Sequence, residues 1–199
     1  MPYVKRREDL KNVAYKLEMD YHPTDEWGLY NLLRDFRLFR RGHHRRITNL
    51  LSKKNAMLDL SLNVFDYRFV ISAGNSHRRV NQTVFFVESK QLGLPDFLMR
   101  PETFFHRIGE YLGMQDIDFE AYPDFSRRYL LKGDNEEHIR ASLGNEDFLR
   151  FFSIEKNWSL EGCNYFMVFY RRNKILAPAE IEKFVNKGMN IFEMLKLDD

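Results

Sequence analysis

With 199 residues, 44% of them hydrophobic and 15% aromatic, the chain has material for one well-buried core and lies far from the composition of disordered segments, so it is expected to fold without a cofactor. Cys163 is the lone cysteine, which excludes an intrachain disulfide and fits a reducing compartment, read here as the cytoplasm; neither a signal peptide nor a stretch of roughly 18 uncharged apolar residues is visible. The net charge of +2 is unevenly spread: residues 1–100 carry 18 Lys+Arg against 11 Asp+Glu, whereas residues 101–199 carry 13 against 18, so the halves can attract each other or face different partners.

In chain order, Leu10, Val13, Ala14 and Leu17 share one face of a helix expected over Glu8 to Met19, which His22 and Pro23 end. Thr24 or Asp25 caps a second helix through Leu33. Leu58, Leu60, Leu62 and Val64 alternate with Asp59, Ser61 and Asn63, the period of a strand buried on one face. Tyr67 to Ile71, a reversal at Ala73 to Ser76 and Thr83 to Val87 complete an antiparallel meander. Pro101 opens a helix carrying Phe104, Phe105, Ile108 and Leu112 that Gly113 stops. Ser126 to Leu131 reads as a strand.

Asp134 and Glu137 form a capping-box pattern before Ile139 and Leu143, with Gly144 as the stop, and Asn145 caps a helix carrying Phe148, Leu149 and Phe152. Trp158 to Glu161, a turn at Gly162 to Asn164 and the apolar run Tyr165 to Tyr170 make a hairpin. Pro178 begins a long final helix with Ile181, Phe184, Val185, Gly188, Phe192 and Leu195 on one face. The fold class is therefore α+β: an antiparallel sheet of meander and hairpin strands with packed helices. A single domain over 1–199 is expected, with any seam between lobes near 91–95.

Pro95 to Gly133, followed by Trp158, Ser159, Leu160, Glu161 and Gly162, resembles a family of uncharacterised bacterial proteins sharing an LRPE…GxxDIDF…PEFSRRYLLRG…WSxEG pattern. The matching residues include Arg100, Pro101, Glu102, Gly113, Gln115, Asp116 to Phe119, Pro123 and Phe125 to Tyr129; Phe65, Asp66, Tyr67 and Arg68 extend the resemblance to roughly Leu38 through Leu195. The resemblance implies a shared fold and brings no activity or catalytic residues. Some proteins that look similar carry an N-terminal transmembrane segment, where this chain has a polar amphipathic helix.

The densest candidate site is Arg40, Arg41, Gly42, His43, His44, Arg45 and Arg46, flanked by Arg34, Arg37, Lys53 and Lys54. Arginines pair bidentately with phosphate, so such a loop suits nucleic acid, a nucleotide or an anionic membrane surface; the plainer reading is a solvated turn before a strand. The adjacent His43 and His44 point apart and sit among cations, which argues against zinc. Asp116, Asp118, Glu120 and Asp124 open like a calcium loop but lack its glycine and terminal glutamate. Their plainer role is to pair with Arg127 and Arg128 or to cap backbone, with Phe119 and Phe125 as anchors.

No phosphate-binding glycine loop, dinucleotide fingerprint or G-x-S-x-G is present, and Cys163 has no basic neighbour in sequence. No catalytic residue, metal or cofactor is therefore assigned. The sequence favours a non-enzymatic binding module for an anionic partner. An enzyme with a cleft around Asp116, Asp118, Arg127 and Arg128 is the alternative, and a structural protein docking an aromatic surface on another chain is the third reading.

Overall fold

The computed structural model describes residues 2–57, 59–74, 76–102 and 116–197. Leu58 and the helix expected on Phe104 to Leu112 with its Gly113 stop lie outside them, as do Asn75 and Gln115.

Helix α1, Pro2–Lys16, begins well before Glu8, because Pro2 suits a first helical position and nothing in the following residues breaks a helix. It ends earlier than His22 and Pro23: Glu18 takes a left-handed φ of 53° and the Met19 N–H reaches back to Ala14 O at 2.8 Å, closing the last turn. His22 and Pro23 instead lie in the edge strand β1, Asp20–Thr24, a position that tolerates a proline because its missing N–H costs no inner ladder bond. Asp25 then accepts from the Leu29 and Tyr30 N–H groups at 2.9 Å, opening the short helix α2, Leu29–Leu33, which α3, Arg37–Arg40, follows.

Strand β2, His43–Asn55, occupies the segment expected to be a basic loop; it pairs with β3, Leu60–Ala73, which in turn pairs with β4, Ser76–Ser89, in an unbroken ladder from Leu60↔Ser89 to Ala73↔Ser76. The meander is thus real, and Leu60 to Ile71 is one strand instead of two apolar runs. Strand β5, Leu94–Pro101, starts within the 91–95 segment. It is followed by α4, Pro123–Ser126, and β6, Tyr129–Gly133. Helix α5, Glu136–Leu143, is capped by Asn135, which accepts from the His138 N–H at 3.0 Å, and not by Asp134; α6, Glu146–Ile154, is capped by Asn145 as expected.

Strands β7, Ser159–Asn164, and β8, Phe166–Tyr170, form the predicted hairpin, but Gly162 and Cys163 lie inside it and pair with Met167 and Phe166. Asn164, at φ 51°, makes the reversal instead. A Cβ on Gly162 would collide with the Phe97 ring, so the glycine is needed for packing. Helix α7, Pro178–Leu195, ends the fold.

Among the described residues the sheet has eight antiparallel strands in the order β1-β2-β3-β4-β8-β7-β5-β6. Both faces are covered. Phe85 and Phe169 belong to a large cluster with Leu10 of α1, Phe148 and Phe152 of α6 and Phe184 of α7. Their chain neighbours Phe86 and Val168 point the other way, into a second cluster with Leu33, Phe36 and Phe39. A strand buried on both sides has no polar phase, which is why Phe166 to Tyr170 reads as an unbroken apolar run. Among the described residues no helix is long and apolar enough to cross a membrane.

Candidate functional site

The basic run of residues 40–46 spans the end of α3, a bend at Arg41 and Gly42 and the start of β2, where the pairing with β3 shifts register between His43 and Arg46. Arg40 ends α3 and Arg45 folds back to it: Arg45 donates to Arg40 O at 2.6 Å, Arg41 O at 3.2 Å and the Tyr30 hydroxyl at 3.1 Å, satisfying carbonyls that a helix end leaves open. Gly42 has φ 64° and lies against the Val70 carbonyl, where any side chain would clash. His43 and His44 stack edge to face at 4.8 Å, with His77 6.3 Å from His43. Among the described residues no cluster of three or more His, Cys, Asp or Glu residues could hold a metal ion. Arg41 and Arg46 leave the run for two different sites, while His43, His44 and Arg45 border an open groove beside Tyr30 and Gly42.

Arg46 enters a cleft of about 480 Å³ on the α1 face of the sheet, where Arg6, Arg7, Arg68 and Arg79 join it. The cross-strand register explains the gathering. Arg46 lies opposite Arg68, and Arg68 opposite Asn81, so the three form a row across β2, β3 and β4; Arg79 is the next residue of β4 on that face. Asp66 is the one carboxylate in the lining among the described residues. It accepts both Arg6 contacts at 2.9 Å, Asn49 Nδ2 at 2.9 Å and Thr83 Oγ1 at 2.9 Å, which occupies its four lone-pair sites. Arg6 also donates to Leu176 O at 2.7 Å. Asp66 is therefore committed to Arg6, and among the described residues no ion pair engages Arg46, Arg68 or Arg79.

Arg41 goes to the opposite face, where Arg37, Arg100 and Arg172 surround Glu161, the glutamate of the WSxEG pattern. Glu161 is 1% exposed and accepts from the N–H groups of Arg37 at 2.6 Å and Leu38 at 3.1 Å, capping α3, and from the Tyr170 hydroxyl at 3.0 Å. Burial pushes its carboxyl up to about 7 against the lowering pull of these donors and of the Arg37 charge. The void beside it is only about 30 Å³, so this cluster reads as structure.

Asp116, Asp118, Glu120 and Glu102 border an open groove with Arg127. Ile117 and Phe125 are buried beneath it, as the interleaved aromatics implied. Two of the expected roles are met, since Arg127 pairs with Asp124 at 2.6 Å and Asp116 caps backbone by accepting from the Leu131 N–H at 2.9 Å; Arg140, which was not expected here, donates to the Asp118 backbone carbonyl at 2.7 Å. Arg128 contributes its backbone, accepting from the Glu102 N–H at 2.9 Å. Partial burial raises the Asp116 carboxyl above its ordinary value, and the Asp118 and Glu102 charges add to that rise.

Sequence reasoning missed Arg6, Arg7, Arg68 and Arg79. The available signal was Asp66 and Arg68, two charges in the middle of a long apolar strand, where burial demands a partner.

No family model and no curated protein matches the chain. Among solved structures it is similar to the crystal structure of the mycobacterial trehalose monomycolate transport factor A, TtfA, at a TM-score of 0.62 and 10% identity, covering 97% of this chain and 98% of that one. At that identity the likeness establishes a shared fold.

Proposed function

We propose that this protein is a non-enzymatic binding module that takes an anionic partner into the cleft of Arg6, Arg7, Arg46, Arg68 and Arg79. The observation carrying this reading is the charge imbalance: among the described residues five guanidinium groups line one cleft, and the one carboxylate there, Asp66, is saturated by Arg6 and two neutral donors. A fold shared with a transport factor accords with binding and handing on. The reading also includes one domain over 1–199, supported by the continuous sheet, and a cytoplasmic setting, supported by the lone cysteine. Kinship with the bacterial family of the FSRRYLLRG pattern is part of the same reading and rests on the sequence match alone.

Replacing Arg46, Arg68 and Arg79 together with Ser tests the binding site, because clustered phosphate contacts make binding fall steeply with salt. The variant is expected to elute from a heparin column at clearly lower salt than the parent while keeping its circular dichroism. Equal elution removes the cleft as an anion site.

A further inference from the structure

The cleft has features that choose among anions. Arg46 and Arg68 are directly opposed across β2 and β3, and strand neighbours are only about 4.8 Å apart. Like charges in that arrangement work against the sheet unless something bridges them. Arg79, on the same face of β4 opposite Val70, extends the pair diagonally, and Arg7 approaches from α1. A carboxylate offers one negative charge and one planar edge. A phosphoryl group offers more charge and three oxygens, each able to meet a different guanidinium. The volume of about 480 Å³ lies within the roughly 300 to 1,000 Å³ of small-molecule sites, and Pro23 and Ile175 supply apolar wall. The space therefore suits more than a bare ion.

Resting on the anion-binding reading above, we propose that the ligand is a phosphate ester or diphosphate bearing at least two negative charges, its phosphoryl oxygens bridging Arg46 and Arg68 and its organic part lying along Pro23 and Ile175. Such a group reaches the cleft either on a soluble metabolite or as a lipid headgroup.

The test is calorimetric titration of the full chain at constant ionic strength with pyrophosphate, inorganic phosphate and acetate. Pyrophosphate is expected to bind at least about tenfold more tightly than acetate, and Arg46→Gln and Arg68→Gln each to weaken it by about tenfold. Arg78→Gln removes the same charge from the same hairpin, but Arg78 is opposite Ile71 and faces the other side of the sheet, so it is expected to leave affinity unchanged. An equal loss in Arg78→Gln would reduce the effect to net charge and overturn the assignment. Equal affinity for acetate and pyrophosphate overturns the phosphoryl inference while the anion-binding reading stands; binding of no anion overturns both. Should Arg68→Gln misfold, the exposed Arg46 carries the comparison. Binding of glycerol 3-phosphate supports the proposal with a soluble ligand. Binding confined to vesicles containing phosphatidic acid, absent on phosphatidylcholine alone, supports it with a lipid headgroup.

Discussion

Arg6 and Asp66, 60 positions apart in the chain, meet in a two-point ion pair in which each Asp66 oxygen lies 2.9 Å from a guanidinium nitrogen. The pair fastens the start of α1 to the middle of the sheet. Through Leu176 O, which accepts from the same guanidinium at 2.7 Å, it also ties in the segment before α7. One carboxylate thus holds together three elements that form a wall and floor of the basic cleft.

Asp66→Asn is expected to cost about 3 kcal/mol, the scale for removing one member of a largely buried pair and stranding the other. Urea unfolding of the purified variant measures it. Stability equal to the parent would mean that α1 docks through Leu10 and Ala14 alone.

The buried Glu161 predicts a pH dependence of stability. Its carboxyl is raised from the ordinary 4.5 to about 7, so the folded state holds a proton that the unfolded chain releases more readily. The favourable contribution is complete below about pH 4.5 and is lost as pH rises through about 7, on the order of 3 kcal/mol in all. Glu161→Gln keeps an acceptor for the Arg37 and Leu38 N–H groups and removes the titration. Melting temperatures of parent and variant across pH 4 to 8 should therefore converge at the acid end and diverge in the variant's favour toward neutrality; parallel curves would show that the arginines around Glu161 keep it ionised throughout.

In the larger core cluster Phe184 stacks on Phe169 at 5.6 Å and on Trp158 at 5.6 Å, and is 2% exposed. Phe184→Ala is expected to cost about 3 to 5 kcal/mol, as for other deletions of a buried aromatic ring. A Cβ on Gly188 would approach the Phe85 ring to 2.5 Å, so Gly188→Ala overpacks the same contact at about 1 to 3 kcal/mol. Chemical denaturation of both variants checks the pair, and a neutral Gly188→Ala would show that α7 can lift from β4 without loss.

Cys163 is half-buried near the end of β7, burial raises its thiol above the ordinary value with the Asp96 and Asp35 charges adding to the rise, and Asn164 Nδ2 lies 3.5 Å from its sulfur. A thiol pushed up is a poor nucleophile. Cys163→Ser is expected to change stability by no more than about 1 kcal/mol and to leave pyrophosphate affinity as it is in the parent. Loss of binding in a folded variant would make the thiol functional.

The chain's own patterning determined which segments bury which faces. Leu10, Val13, Ala14 and Leu17 recur at helical spacing, Leu60, Leu62 and Val64 at strand spacing, and Asn145 and Pro178 announce helix starts; each is a local interaction between residues a few positions apart, visible without partners. That information sufficed for an antiparallel α+β fold with a long final helix. The site was decided elsewhere. His43 to Arg46 contain no apolar alternation, so their pairing with β3 depends on a ladder whose other half lies more than 20 residues away. That pairing sets Arg46 opposite Arg68 and so in a cleft it shares with Arg6 and Arg79, while Arg41, in the bend before β2, lies beside Glu161 on the other side. Adjacency in sequence separated these arginines, and the cross-strand register brought the distant ones together.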